Sequence, residues 1–201
     1  MTTVNGLPAH ILLVHAIVVL LPLSALVLVL TACLAPVRRR LAGANAILSV
    51  LVVILVPITT NAGEWLERRV ARTPLVRAHT EIGDTAIWVA IPVAVLALAL
   101  WWRQREAGTA AVNAGASAAG GAAVAAASAD GAAAVSGAGA AAKNGRRNFL
   151  APASKAVSVT LIVLSVLAAG AAVYDIVRIG DTGAQASWQG QFQQNPAPRA
   201  R

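Results

Sequence analysis

Residues 59–84 read TTNAGEWLERRVARTPLVRAHTEIGD, and this stretch separates two runs that are almost purely apolar. It carries four of the eight acidic residues and one of the three histidines of the chain. A charged segment between two long apolar runs is typical of a loop that joins two membrane-spanning helices. The fold is therefore expected to be arranged around this loop, with lipid-embedded helices on both sides of it.

The composition indicates a membrane protein. Hydrophobic residues make up 58% of the 201 residues, charged residues only 12%, and the mean hydropathy is +0.70. The net charge of +8 does not indicate nucleic-acid binding, because the Lys and Arg residues lie at the ends of apolar runs rather than on one soluble face. Cys33 is the single cysteine, which excludes an internal disulfide and a cysteine metal cage.

Four apolar runs are long enough to cross a bilayer, and they lie at residues 10–34, 44–60, 85–102 and 155–179. A run of 25 residues at about 1.5 Å per residue crosses a hydrocarbon core of about 30 Å. We therefore predict an all-α, polytopic membrane protein with four transmembrane helices in a bundle. A secretory signal or a lipoprotein cleavage site at residues 30–33 would need a basic segment ahead of the first run, and residues 1–9 contain none.

The runs divide the chain into four regions. Residues 1–103 hold the first three helices and an outer loop at 61–84, and residues 155–190 hold the fourth helix and its outer end. Residues 104–154 are rich in Ala and Gly and are predicted to form a disordered cytoplasmic linker, since small side chains bury little area and glycines interrupt helices. Residues 191–201 are predicted to be a flexible tail.

The distribution of cations predicts the orientation. One side of the membrane would carry nine Lys or Arg residues against two acids, and the other side seven against six. No cation precedes the first run. Because cytoplasmic loops are enriched in Lys and Arg, both termini are predicted to lie outside. The cytoplasmic cations are Arg38, Arg39, Arg40, Arg103, Arg105, Lys143, Arg146, Arg147 and Lys155.

All three histidines then lie at the outer face. His10 on the first span should lie near the level of His79, and His15 about 7.5 Å deeper. Five residues turn a helix by about 140°, so His10 and His15 do not share a face and one ligand from each helix is expected. His15 is flanked by Val14 and Ala16, and a polar ring at that depth needs a partner or a cavity.

Other polar residues converge on the same face. Thr73 and Pro74 read as an N-cap followed by a first-turn proline, so a helix is expected to start at Pro74 and continue into the third span. Arg178 on the fourth span forms a stripe with Tyr174 and Asp181, and it is expected to pair with a carboxylate of the central loop. His10 and His15 on the first span are five residues apart, as are His79 and Asp84 at the start of the third, and Pro22 and Pro92 follow a few turns later. This similar spacing suggests two related helical hairpins, although no run of matching side chains accompanies it.

Four segments carry a family resemblance. Residues 6–15 (GLPAHILLVH), 57–65 (PITTNAGEW), 79–84 (HTEIGD) and 178–184 (RIGDTGA) resemble the bacterial membrane family catalogued as domain of unknown function 2231. The resemblance covers the chain except for the linker. It implies a four-span protein in the neighbourhood of redox proteins, because members occur fused to Rieske-type iron–sulfur domains. The family's usual proline after the first histidine is replaced here by Ile11, and the linker is longer.

Three functions stay open at this point. The first is an accessory or scaffold membrane protein without enzymatic activity, whose outer polar groups lock the helices and present a surface to a partner. The second is a membrane electron-transfer protein in which His10 or His15, together with His79, binds a b-type haem, with Arg77 or Arg178 near its propionates. The third is a divalent-metal protein. Its ligands would be His10, His15, His79, Glu64 and Asp84.

The remaining expectations concern surroundings and activity. The bilayer is the one partner that the composition predicts, a redox or other membrane protein is a second candidate, and no nucleic acid is expected. The expected location is the bacterial plasma membrane. Common hydrolase, nucleotide, zincin and c-type haem motifs are missing from the sequence, so an enzyme is not favoured.

Overall fold

The computed structural model describes residues 3–4, 6–129 and 154–190. These residues are almost entirely helical, apart from a two-stranded antiparallel hairpin whose turn contains Gly6 at φ +79°. A residue without Cβ adopts this left-handed conformation at little cost. The elements are β1 (Thr3–Val4), β2 (Leu7–Pro8), α1 (Ala9–Cys33), α2 (Ala35–Glu67), α3 (Pro74–Gly83), α4 (Ala86–Ala129) and α5 (Lys155–Trp188).

Among the described residues, four helical segments are long and apolar enough to cross a membrane, which confirms the predicted all-α polytopic bundle. They are α1, α2, the segment of α3 and α4, and α5. Helices α1 and α4 each pack against both α2 and α5, and they also contact each other across the bundle. We call the end where α1 begins and α5 ends the histidine end. Its assignment to the outer side of the membrane stays a prediction from the Lys and Arg distribution.

The interior of the bundle is built from small and branched side chains. Leu21 and Leu28 of α1 are fully buried, as are Val93 of α4 and Ala172 of α5. Lipid tails are as apolar as leucine, so small interior residues and close packing hold membrane helices together. Large apolar side chains on the other faces, such as Leu26, point outward, as expected for surfaces that contact lipid.

A sharp turn joins α1 to α2. Leu34 is the one extended residue between the two helices, and Pro36 lies in the first turn of α2, where its missing N–H is not needed. The Arg38 guanidinium donates to the carbonyl oxygens of Thr31 and Ala32, at 3.1 Å each. These are carbonyls of the last turn of α1, which lack partners within the helix. Arg38 thus caps α1 as well as contributing to the predicted cation bias.

Two helices are longer than the sequence predicts. Helix α2 has 33 residues where a 17-residue span at 44–60 is predicted, because its charged flanks continue the helix at both ends of the apolar run. Helix α4 continues to Ala129, so the predicted disordered linker is helical over residues 104–129. Alanine has the highest helix propensity of all residues, and here it outweighs the scattered glycines. Residues 130–153 of the predicted linker and the predicted tail at 191–201 lie outside the described residues.

Helix α3 begins as predicted but does not run into the third span. The Thr73 hydroxyl oxygen accepts a hydrogen bond from the Val76 N–H at 3.2 Å, and Pro74 occupies the first turn. The expected continuous helix is wrong, since Asp84 and Thr85 form a turn between α3 and α4. At this turn the Thr85 hydroxyl contacts both the Ile82 carbonyl at the end of α3 and the Asp175 carboxyl group of α5.

Replacing Thr73 with alanine should destabilise α3 locally by about 1 kcal/mol, because the N-cap acceptor for Val76 is lost. Hydrogen exchange of the α3 backbone amides is expected to accelerate roughly five- to tenfold, whereas exchange in α1 stays unchanged. Thr73→Ser retains the capping oxygen and serves as the matched control. Equal exchange rates in Thr73→Ala and the wild type would contradict the capping role.

Candidate functional site

His10 lies in the first turn of α1, and its half-buried ring packs against α2. Its Nδ1 atom is 3.0 Å from the backbone carbonyl oxygen of Thr59. A carbonyl oxygen can only accept a hydrogen bond, so Nδ1 carries the hydrogen. In the neutral ring the other nitrogen, Nε2, therefore holds a lone pair.

His79 lies on α3 and packs against α5 in a similar way. Its Nδ1 atom is 3.2 Å from the hydroxyl oxygen of Thr182, and the ring also contacts the backbone of Ile179. The Thr182 hydroxyl lies 3.0 Å from the Arg178 carbonyl and 3.1 Å from the Ile179 carbonyl, so its hydrogen is directed at its own helix. We therefore assign the hydrogen of this contact to Nδ1 of His79, with the Thr182 oxygen as acceptor, which is the same tautomer as that of His10.

This tautomer is one that metal-binding histidines commonly adopt. A ligating imidazole commonly donates its second N–H to a carbonyl or another fixed acceptor, which orients the ring. Within residues 3–4, 6–129 and 154–190, neither Nε2 atom of this pair has a hydrogen-bond partner. The two rings are therefore oriented through one nitrogen, and the other nitrogen of each is available to a ligand.

A glycine on the facing helix allows each ring to approach closely. A Cβ atom added to Gly63 would lie 2.9 Å from Cε1 of His10, and one added to Gly183 would lie 3.0 Å from Cε1 of His79. A side chain at position 63 would force the His10 ring to shift, and one at position 183 would require the His79 ring to move by a few tenths of an ångström. The absence of a Cβ atom at both positions lets each ring lie this close to the facing helix.

The two halves of the chain repeat the same arrangement. His10 bonds to the Thr59 carbonyl and packs on Gly63, four residues later in α2. His79 contacts the backbone of Ile179 and packs on Gly183, four residues later in α5. The side chains around the two glycines differ, but each ring covers one turn of its partner helix. This contact supports the two related hairpins that the histidine and proline spacing suggests.

The two histidines meet at the boundary between a small cavity and a wide cleft. The cavity has a volume of about 50 Å³ and is lined mainly by apolar side chains of α1, α2, α4 and α5. The cleft at the histidine end has a volume of about 1120 Å³, and charged residues of α2, α3 and the connecting loop line its wall. Six residues line both spaces: His10, Val14, Thr60, His79, Gly83 and Ile179.

These volumes limit what can bind. Pockets for drug-sized ligands and cofactors have volumes of roughly 300–1,000 Å³. The cavity holds at most a very small ligand, whereas the cleft is large enough for an organic cofactor. Any such cofactor in the cleft would meet both imidazoles at its floor, because His10 and His79 line the cleft as well.

His15 does not join this pair. Its ring is exposed, and its Nδ1 atom bonds to the Ile11 carbonyl, one turn earlier in its own helix. The side chain lines the cleft but not the cavity. The hydrogen-bond partner that a polar ring at this depth needs is therefore the Ile11 carbonyl of α1 itself. Of the two histidines on the first span, the structure brings His10 to His79.

The arginines named for a haem propionate lie elsewhere. Arg77 and Arg178 are exposed, and neither lines the cavity or the cleft. The Arg178 guanidinium lies 5.7 Å from the centre of the Tyr174 ring on the same helix, a cation–π distance. The expected ion pair of Arg178 with a loop carboxylate is wrong, since no such pair within 4.0 Å is found among the described residues.

The residues named for a divalent metal are not gathered into one cluster. In the part of the chain that the structure describes, no three His, Cys, Asp or Glu side chains lie close enough to hold a metal ion. Glu64 and Asp84 are exposed on the wall of the cleft, and Glu64 faces Arg68 at 4.0 Å. Their carboxylates belong to the charged rim rather than to the histidine pair.

Three functional positions are missed by sequence reasoning. Gly63 and Gly183 stand inside quoted motifs, yet only the close contact with a ring shows why glycine is needed there. Asp175 is counted with the outer charges, whereas the structure buries it and bonds it to Thr85. The one available signal is that Asp175 lies within the apolar run of the fourth span, where an ionisable residue is a functional candidate.

Comparison with models of protein families, with curated proteins and with solved structures finds no match to this chain.

Proposed function

We propose that this integral membrane protein transfers electrons through one b-type haem bound between His10 and His79. The observation that carries the proposal is the matched pair of imidazoles, each with Nδ1 bonded to a neighbouring helix and Nε2 left for a ligand. The resemblance to domain of unknown function 2231, itself a proposal, is in keeping with a redox neighbourhood.

The donor set fits a b-type haem. Neutral imidazoles are common iron ligands in haem proteins, so His10 and His79 would hold the group, and helix bundles commonly bind cofactors between facing helices. The cleft of about 1120 Å³ has room for the macrocycle, while the cavity of about 50 Å³ does not. When bound, the iron would supply one-electron redox chemistry. The protein's part is to orient both rings through Thr59 and Thr182.

The scaffold role is the second candidate, and the same hydrogen bonds favour it. His10 joins α1 to α2, and His79 joins α3 to α5. Polar contacts between membrane helices contribute roughly 0.6–2 kcal/mol each, enough to fix the packing without any ligand. In that case both histidines stabilise the bundle and bind nothing.

The visible spectrum of the full-length protein separates the two candidates. After haem-supplemented expression and purification in mild detergent, we expect a Soret band that shifts on reduction with dithionite. His10→Ala and His79→Ala should each lose most of this absorbance, because each variant removes one of the two imidazoles that would hold the haem. His15→Ala is the matched control and should retain it.

Two outcomes would contradict the haem proposal. One is a colourless wild-type protein, and the other is a Soret band of full height in both His10→Ala and His79→Ala. A colourless protein whose stability falls in both variants would instead support the scaffold role. Stoichiometric metal without haem, measured by elemental analysis, would support the metal alternative.

A further inference from the structure

The end of the bundle opposite the histidine end carries a concentration of cations, and we call it the basic end. Its cations in the described part of the chain are Arg38, Arg39 and Arg40 of α2, Arg103 and Arg105 of α4, and Lys155 of α5. Glu106 is the one acidic residue that the described residues place at this end, and its carboxylate accepts from the Trp102 indole N–H at 2.9 Å. The basic end therefore has a large excess of positive charge.

Two of these arginines hold the bundle together. Arg38 caps α1, and the buried Arg103 donates to a carbonyl and a hydroxyl oxygen at the start of α5, at 3.1 and 2.7 Å. Arg39, Arg40 and Arg105 are exposed instead. Among residues 3–4, 6–129 and 154–190, no carboxylate oxygen lies within 4.0 Å of these three guanidinium groups. Their N–H groups are therefore available to an anion.

The side chain of Arg105 is positioned by the contact between α2 and α4. Gly43 of α2 lies against the Trp101 indole of α4, since a Cβ atom added to this glycine would be 3.3 Å from Nε1 of the indole. The Arg105 guanidinium in turn lies 4.6 Å from the centre of the Trp101 ring, a cation–π distance. A guanidinium that stacks on a ring keeps its N–H edge for a planar acceptor such as a phosphate.

The three exposed arginines gather at one groove. Arg39 and Arg40 precede Gly43 by about one helical turn, and Arg105 follows Trp101 by one turn. Helix α2 runs toward the histidine end, whereas α4 starts there and runs away from it. Both steps therefore lead from the Gly43–Trp101 contact to the basic end. The mouth of the groove between α2 and α4 is lined by cations from both helices.

In the other direction the walls of this groove are apolar. Ile47 lies one turn beyond Gly43 on α2 and is 66% exposed, and Leu98 lies about one turn before Trp101 on α4 and is 39% exposed. A free phosphate ion would use the arginines alone. A phospholipid would use both parts, with its phosphate at the arginines and its acyl chains along the exposed apolar side chains.

We propose that the groove between α2 and α4 at the basic end binds the headgroup of an anionic phospholipid. Arg39, Arg40 and Arg105 contact the phosphate, which offsets the repulsion among the three guanidinium groups. Trp101 lies at the headgroup level, where tryptophan is common in membrane proteins. Basic pockets between membrane helices on the cytoplasmic side commonly bind anionic headgroups, and the cation distribution predicts that this end is cytoplasmic.

Native mass spectrometry of the full-length protein in detergent, titrated with phosphatidylglycerol, tests this proposal. We expect the first phosphatidylglycerol to bind more tightly than phosphatidylcholine, which carries no net charge. Arg39→Gln/Arg105→Gln should weaken phosphatidylglycerol binding about tenfold or more, because each cation near a lipid surface contributes roughly a factor of five. Binding of phosphatidylcholine should stay unchanged in this variant.

Arg69→Gln/Arg77→Gln is the matched control. It removes the same charge from the histidine end, and Arg69 stacks on the Trp65 ring at 3.8 Å much as Arg105 stacks on Trp101. This variant should bind phosphatidylglycerol as tightly as the wild type does. If the Arg39→Gln/Arg105→Gln variant does not fold, Arg105→Gln alone decides, with Arg69→Gln as its control and a loss of about fivefold expected.

Three results would overturn the proposal. The first is equal affinity of the wild type for the two lipids, and the second is an equal loss of affinity in the variant and its control. The third is complete displacement of phosphatidylglycerol by excess inorganic phosphate, which would show that the arginines bind phosphate without the chains. None of these results depends on haem, since the groove contains neither histidine.

Discussion

Gly180→Ala and Gly183→Ala should change the free energy of unfolding in opposite directions, although the two positions lie three residues apart on α5. A Cβ atom at position 180 meets no atom within 4 Å, so alanine there should stabilise the helix by about 0.5–1 kcal/mol. A Cβ atom at position 183 would lie 3.0 Å from Cε1 of His79. Overpacking of this kind typically costs about 1–3 kcal/mol, which outweighs the gain in helix propensity.

The same substitution on the other half of the chain should behave like Gly183→Ala. Gly63→Ala places Cβ 2.9 Å from Cε1 of His10, so the ring must shift, and the shift disturbs its 3.0 Å bond to the Thr59 carbonyl. Haem affinity should therefore fall at least tenfold in both variants and remain unchanged in Gly180→Ala. Reversible unfolding in detergent and haem titration are the two measurements.

A double-mutant cycle identifies the ring as the cause. In the His79→Ala background the Gly183→Ala penalty should disappear, because the atoms that Cβ would meet are gone. The His10→Ala background should likewise remove the penalty of Gly63→Ala. A penalty that persists in either background would show that the glycine is needed for another reason, and the close ring contact would lose its role.

The fold is the part that sequence predicts well, because length and hydropathy decide whether a helix can cross a bilayer. The four spans and the Thr73 N-cap follow from local chemistry that involves few residues. Helix ends are less predictable. Charged flanks extend α2 to Glu67, and alanine continues α4 to Ala129. Hydropathy gives the apolar stretch of a helix but not the point where its hydrogen bonding stops.

The site is less predictable, because the partner of each ring belongs to another helix. The greater depth of His15 in the first span favours it as a site residue, whereas the structure places His10 near His79. Of the two histidines on α1, His10 is the one that packs against a carbonyl and a glycine of another helix. A glycine in a membrane helix has several common uses, so Gly63 and Gly183 give no separate signal. The depth of each histidine along the bundle, by contrast, is predictable from the rise per residue of a helix. His10 and His79 are predicted at a similar depth, and both line one cavity.

Charge pairing is predicted least well. Opposite charges predict an ion pair between Arg178 and a carboxylate of the central loop. Ion pairs between long, exposed side chains contribute little to stability in water, however. In the structure, Arg178 lies beside the Tyr174 ring, and Asp175 of the same helix is buried against the Thr85 hydroxyl. Which of two adjacent acidic or basic residues is buried depends on helix rotation, and the sequence leaves that rotation open by tens of degrees.

The helix rotation can itself be tested with two leucines of α1. Leu21 is fully buried in the bundle, whereas Leu26 is 57% exposed on the outer face. Leu21→Ala should lower the free energy of unfolding by about 2–4 kcal/mol, because it leaves a cavity that the packed helices can close only in part. The loss comes mainly from packing, since lipid would solvate the leucine as well as the bundle interior does.

Leu26→Ala is the matched control. It removes the same atoms from the same helix, but lipid fills the space, so the expected change is within about 0.5 kcal/mol. Unfolding of both variants in the same detergent gives the comparison. Equal losses at the two positions would mean that α1 does not present the Leu21 face to α2, α4 and α5. The placement of His10 against Gly63 would then fail with it, because both side chains depend on one rotation of one helix.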